Sequence, residues 1–191
     1  MRKIVAFEQV SLDGFFVDAK GDMSWAHKQD AEWNAFTAGN AGGNGALLFG
    51  RKTYEMMASF WPKPMAMQVA PKVAEGMNNL SKFVFSRTLE SVSWKNTTLL
   101  KGDLVTSVAE MKQESGPDMV ILGSGSIVSQ LSAKGLIDEF QIIVNPLILG
   151  AGRTLFEGVP GRISLRLLKT RAFGNGNVIL YYVPEGIAVT S

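Results

Sequence analysis

The chain has 191 residues, 46% of them apolar and 19% charged, and a formal net charge of +2. That length suits one domain with a sizeable core, and so small a charge gives no reason to expect nucleic acid or an anionic membrane as a partner. Cysteine is absent and histidine occurs once, which excludes disulfides, thiolate nucleophiles, iron–sulfur clusters and zinc–thiolate or multi-histidine metal sites. The N-terminus places Glu8 where a signal peptide needs its apolar stretch, and no run reaches membrane-helix length. A cytoplasmic protein is expected.

In chain order, residues 3–10 read as a strand ended by the loop signal Ser11-Leu12-Asp13-Gly14. A helix is predicted from Asp30 to Ala38, with Trp33 and Phe36 on its apolar stripe, broken by the four glycines between Gly39 and Gly45. Ala46 to Phe49 is a buried strand, and Thr53 to Phe60 a helix stopped by Pro62. The Met- and Pro-rich residues 62–71 read as a surface connection. Phe83 to Phe85 forms a further strand, and Asp103 caps a helix with Leu104, Val105, Val108 and Met111 on one face. Met119 to Leu122 is a strand, and Ser126 can cap the helix after it, with Gly135 at its end. Phe140 to Leu149 reads as a long strand. Residues 164–173 and 178–183 flank Gly174-Asn175-Gly176-Asn177, a hairpin signal. Strands separated by helices are parallel neighbours and the last pair is antiparallel, so the sheet is mixed. One domain over residues 1–184 and a tail over 185–191 are expected.

Three strand ends are equipped for anions. Leu48-Phe49 runs into Gly50, Arg51, Lys52 and Thr53; Val84-Phe85 into Ser86 and Arg87; Ile121-Leu122 into Gly123, Ser124, Gly125, Ser126 and Ile127. A helix start offers unpaired N–H groups and the positive end of the helix dipole, and glycine lets a phosphate approach the backbone. One nucleotide lying across the sheet would use all three. Two familiar nucleotide motifs fail on spacing: Gly45 to Thr53 has one residue too many for a P-loop, and Val128 stands where a dinucleotide fingerprint needs its third glycine. Turn glycines and solvated cations are the alternative reading of the same residues.

The ordered set Ser11-Leu12-Asp13-Gly14-Phe15, Leu48 to Glu55, Phe85-Ser86-Arg87, Ile121 to Ser126, Gly135 to Glu139 and Pro146-Leu147-Ile148-Leu149-Gly150-Ala151-Gly152-Arg153-Thr154-Leu155-Phe156 resembles the dihydrofolate reductase-like superfamily. Within it, the chain is most similar to the C-terminal reductase domain of the bifunctional riboflavin-biosynthesis deaminase/reductase. The resemblance implies a three-layer α/β/α fold with a central mixed, mostly parallel sheet and a C-terminal antiparallel hairpin. It also implies NADPH as cofactor, hydride transfer to a small molecule, and a homodimer. By carry-over, Gly50, Arg51, Lys52 and Thr53 hold adenosine phosphates, Ser86 and Arg87 the 2′-phosphate, and Gly123, Ser124, Gly125, Ser126 and Ile127 the pyrophosphate and nicotinamide half.

On the substrate side, Met23-Ser24-Trp25 followed by Asp30 has the spacing of the folate reductases' active-site loop and helix acid. Asp30 is thus a candidate proton donor, with helix capping as its alternative. Asp13 is the competing carboxylate, and Asp-Gly is also a common turn pair. His27 lies nearby, and Phe16 and Trp25 can line an apolar ligand cleft. Phe15 replaces the arginine usual in the riboflavin-pathway reductases, and no arginine segment for a folate tail is present. The expectation is an NADPH-dependent reductase of a small heterocyclic or carbonyl-type substrate, and the alternative is a non-catalytic nucleotide- or ligand-binding protein on the same scaffold.

Overall fold

The computed structural model describes residues 1–26 and 30–185. His27 and residues 186–191, which make up nearly all of the expected tail, lie outside them. The first half of the described chain forms Ile4–Ser11 (β1), Phe15–Asp18 (β2), Ala31–Ala41 (α1), Ala46–Gly50 (β3), Arg51–Phe60 (α2), Pro64–Val69 (α3), Pro71–Asn79 (α4) and Ser81–Phe85 (β4). The second half forms Thr97–Leu100 (β5), Leu104–Gln113 (α5), Met119–Leu122 (β6), Gly125–Ser132 (α6), Glu139–Asn145 (β7), Gly152–Thr154 (β8), Leu165–Ala172 (β9) and Val178–Pro184 (β10).

Eight strands make one sheet in the order β5-β4-β3-β6-β1-β7-β10-β9. The six from β5 to β7 are parallel, and β10 and β9 add antiparallel at one edge. Helices cover both faces. Val108 and Met111 of α5 and Ile127, Val128 and Leu131 of α6 pack on Ile4, Ala6, Leu48, Ile121 and Phe140. On the other face Tyr54 of α2 and Met77 of α4 pack on Leu47, Phe49 and Val84, while Trp33 of α1 packs on Ile143 and Ile179. The period-2 alternation of β3 sorts Leu47 and Phe49 to one layer and Ala46 and Leu48 to the other. The mixed, mostly parallel sheet with its terminal hairpin matches the expected architecture.

Several local expectations are corrected. Helix α1 continues through Gly39 to Ala41, because a single glycine costs only about 1 kcal/mol in a helix held by the packing of Trp33. Helix α2 starts at Arg51 rather than Thr53, with Gly50 as its N-cap. Residues 62–71 are not a plain connection: Pro64 and Pro71 each occupy the first turn of a helix, where proline's missing N–H costs nothing. Ser124, not Ser126, stands at the N-cap of α6. Strand β7 ends at Asn145, and the residues beyond it include β8, which pairs with β2 in a small second sheet. Among the described residues no helix is long and apolar enough to cross a membrane.

Candidate functional site

The crossovers place the site. After β3 the chain turns onto the face that carries α2, and after the adjacent β6 it turns onto the face that carries α6. Neighbouring parallel strands whose connections leave to opposite faces open a crevice at their carboxyl ends. Leu48 pairs with Ile121, so Gly50 and Gly123 come level at that edge, and Phe85, just before Ser86, is level with Gly50. The three phosphate-suited strand ends therefore stand side by side.

The two diverging helix starts are tied together. The Gly50 N–H donates to Ser124 Oγ at 3.1 Å, and Thr53 Oγ1 donates to the Gly123 carbonyl at 2.6 Å. Gly123 has φ +68°, and a Cβ there would lie 3.3 Å from Thr53 Cγ2. Both N–H groups of the turn point inward: Gly123 and Ser124 donate to Glu8 Oε2 and Oε1, each at 3.1 Å. Thr53 and Ser124 are buried, so they build the turn from inside. The Ile127 N–H is also committed, to the Ser124 carbonyl. The first-turn amides of α2 at Arg51 and Lys52 and of α6 at Gly125 and Ser126 have no hydrogen-bond acceptor among the described residues, and Ser126 is exposed. Arg51, Lys52 and Arg87 are exposed; Arg51 pairs with Glu55 at 3.2 Å, and Ser86 Oγ accepts from the N–H groups of Thr88 and Leu89. Phe16 is buried against α6, its ring 3.0 Å from where a Cβ on Gly125 would sit, which makes it a wall of this end.

The other half of the edge carries the carboxylates. Asp30 is the N-cap of α1: Oδ1 accepts from the N–H groups of Glu32 at 2.8 Å and Trp33 at 3.0 Å. Its Oδ2 lies 3.0 Å from a Cβ position on Gly174, in the turn of the β9–β10 hairpin. Three strand spacings, ~14 Å, separate β10 from β6, so an extended ligand is needed to span both halves. Asp13 accepts from Ser11 Oγ at 2.6 Å and from the N–H groups of Leu149 and Gly150 at 3.1 and 2.8 Å, pinning the loop after β1 to the loop after β7. The Ser11 hydroxyl, helped by those amides, holds the carboxyl below its ordinary value, which opposes a role as proton donor. Trp25 is half-buried in a 3₁₀ turn and donates from Nε1 to the Asp22 carbonyl.

A protein-family model described as the RibD C-terminal domain matches residues 2–179. The chain belongs to that family. Two uncharacterised proteins of Bacillus subtilis strain 168 are similar over 95% of this chain: YyaP at 28% identity over 94% of its own length, and YwjB at 29% over 98%. A putative riboflavin biosynthesis protein of Shewanella sp. PV-4 shares the fold at TM-score 0.72 and 24% identity, over 96% of this chain and 99% of its own. The Thermotoga maritima diaminohydroxyphosphoribosylaminopyrimidine deaminase/5-amino-6-(5-phosphoribosylamino)uracil reductase matches at TM-score 0.67 and 15% identity, again over 96% of this chain but 56% of its own. These neighbours carry the dihydrofolate reductase-like fold, so the architecture and the RibD C-terminal family expected from the sequence both stand.

Sequence reasoning missed Glu8 as part of this site. The available signal was phase: Ile4, Ala6, Glu8 and Val10 share one face of β1, and that face is core. A dinucleotide fits the residues present. The crevice has first-turn amides of two helix starts without a partner among the described residues and exposed cations beside them, and the nearest atoms to a Cβ position on Gly50 are those of Ser126 and Ile127, at 3.9 Å or more.

Proposed function

We propose that the protein is an NADPH-dependent reductase acting on a small heterocyclic or carbonyl-type substrate. The observation that carries this reading is the β3/β6 crevice, from which α2 and α6 diverge with first-turn amides that have no partner among the described residues. In it, the amides of Arg51, Lys52, Gly125 and Ser126 bind the pyrophosphate, and the exposed cations neutralise phosphate charge. NADPH, when bound, supplies the hydride. Phe16 excludes water from the α6 end of the crevice. Asp30 keeps Oδ1 on the helix cap, and Oδ2, which has no hydrogen-bond partner among the described residues, is the atom that passes a proton to the substrate. Phe15 in place of arginine argues against a phosphorylated ribosyl substrate.

The test measures NADPH consumption across pterins, pyrimidines and flavin precursors, alongside NADPH binding by calorimetry. Binding with turnover of at least one class is expected, and absence of NADPH binding overturns the reading. A second reading, a non-catalytic nucleotide- or ligand-binding protein, draws on the structural work already done by Asp13 and Asp30; binding without turnover of any class would favour it. The reading includes a homodimer. Strand β9 is a sheet edge with Leu167 and Leu168 exposed, and such edges need covering. Light scattering should give twice the chain mass of 20.7 kDa, and a monomer at micromolar concentration would remove this element.

A further inference from the structure

Glu8 is a carboxyl that no charged group among the described residues answers. It is 1% exposed, inside a strand, on the core face of the sheet. Phe7 pairs with Leu122, so the next step of the ladder puts Glu8 beside Gly123, where its two oxygens receive the Gly123 and Ser124 N–H groups. The left-handed Gly123 aims these consecutive amides at one carboxyl, a backbone anion nest filled by the chain itself.

Among the described residues the surroundings supply no countercharge. Strands β3 and β6 and helix α6 contain no ionisable residue. The ionisable residue of β7, Glu139, pairs with Val5 at the far end and on the other face; that of β2, Asp18, accepts from the Lys20 and Asp22 N–H groups of its own turn. Helix α2 offers Arg51, Lys52 and Glu55, all exposed to solvent. Burial pushes the Glu8 carboxyl up to about 8, against the opposing pull of the Ser124 and Gly123 amides.

We propose that Glu8 is a positioning residue of the strand-end site: it holds the Gly123–Ser124 turn from beneath, and it takes up one proton from solvent when a polyanion settles on the outer side of that turn. This rests on reading the crevice as a nucleotide site. A pyrophosphate on the α6 amides brings negative charge close to a carboxylate shielded from water, where charges interact strongly. Protonation relieves the repulsion, and a neutral carboxyl still has a lone pair on each oxygen for the two amides.

The probe is NADPH, titrated by calorimetry in buffers of different ionisation enthalpy between about pH 7.5 and 9.5, above the histidine range. Net proton uptake of at most about one half is expected at pH 8, rising toward one near pH 9. Affinity should be flat below about pH 8 and weaken by up to about tenfold per pH unit above it. Glu8→Gln should abolish both effects. Lys82, whose pKa is lowered to about 8, sits on the opposite edge of the sheet, and its contribution persists in that variant. Glutamine sets an amide donor against one of the backbone donors, so the wild type carries an independent readout: a single glutamate carboxyl carbon resonance titrating near pH 8 that moves upward with saturating NADPH. Binding without proton exchange, or equal uptake in Glu8→Gln, overturns the inference and leaves the nucleotide reading standing. Failure to bind NADPH at any pH overturns both.

Discussion

The two edges of the sheet treat charge in opposite ways. At the N-terminal edge each buried cation is answered. Lys82 donates to the Met77 and Leu80 carbonyls at 2.8 and 2.5 Å and to Asn78 at 3.4 Å, closing the end of α4. Lys112 meets Asp138 at 2.5 Å, Asp138 accepts the Ile4 N–H, and Arg2 donates to the Pro117 carbonyl at 2.6 Å. At the C-terminal edge, among the described residues, two helix starts keep first-turn amides without protein partners, and Glu8 is buried without a countercharge. Satisfied groups hold a fold together, while unanswered groups at a topological switch leave room for a ligand. Breaking each edge should therefore give different phenotypes.

The largest effect is expected at Asp30. If it transfers the proton, Asp30→Asn lowers turnover of any reducible substrate by about 10²- to 10⁴-fold while NADPH affinity stays unchanged, as measured by steady-state kinetics and calorimetry. Asparagine is as good an N-cap as aspartate, so the fold should survive. Asp13→Asn is the companion: because Asp13 serves the loop tie, it should cost stability rather than proton transfer. Full activity in Asp30→Asn would leave water or the substrate itself as the proton source.

At the N-terminal edge, Lys82→Met should remove the cap of α4 and destabilise the protein by about 2–3 kcal/mol in urea unfolding. NADPH affinity should not change. A loss of NADPH binding by the folded variant would show that the two edges are not independent.

Most of the fold was legible, for physical reasons that differ by element. Strands β3 and β6 are short apolar runs bounded by turn residues, β1 is a β-rich run ended by the Ser11–Gly14 loop signal, and the Gly174–Asn177 hairpin carries its own turn chemistry, with Gly176 at φ +87°. Helices α3 and α4 were not legible because Pro64 and Pro71 read as breakers when they are helix starts. The β2–β8 pair joins residues more than 130 positions apart, beyond what local pattern can report. Ser124 and Thr53 looked like ligand donors because hydroxyls beside glycines suit phosphate, yet their partners are each other's turns. Glu8 escaped because a charge in a strand is ordinarily solvent-facing, and only its phase with Ile4 and Ala6 gives it away.

Glu8 also marks the C-terminal edge in the stability of the protein without ligand. Its pKa is raised from 4.5 to about 8 on folding, so between those values the native state binds more protons than the unfolded chain. Stability should fall as pH rises through that window, by up to about 1.4 kcal/mol per pH unit. Urea midpoints at a series of pH values check this, and Glu8→Gln should flatten the profile. A wild-type profile that rises across the window would mean that the carboxyl is ionised in the fold.

The smallest effects belong to the exposed cations, and they sharpen what the C-terminal edge recognises. Charge-assisted contacts to a 2′-phosphate should make NADPH bind more tightly than NADH by about 1–3 kcal/mol. Arg51 and Arg87 are both exposed, but among the described residues only Arg51 of the two has a side-chain ion pair, with Glu55 one turn along. That pair is on the surface and contributes at most about 1 kcal/mol, so it does not hold Arg51 away from a phosphate. Arg87→Ala and Arg51→Ala should each cut the preference several-fold and flatten its salt dependence, while Glu55→Ala leaves it intact or increases it. Equal affinity for NADPH and NADH in the native protein would detach these arginines from cofactor choice, leaving the helix amides as the binding element and the cations as ordinary surface charge.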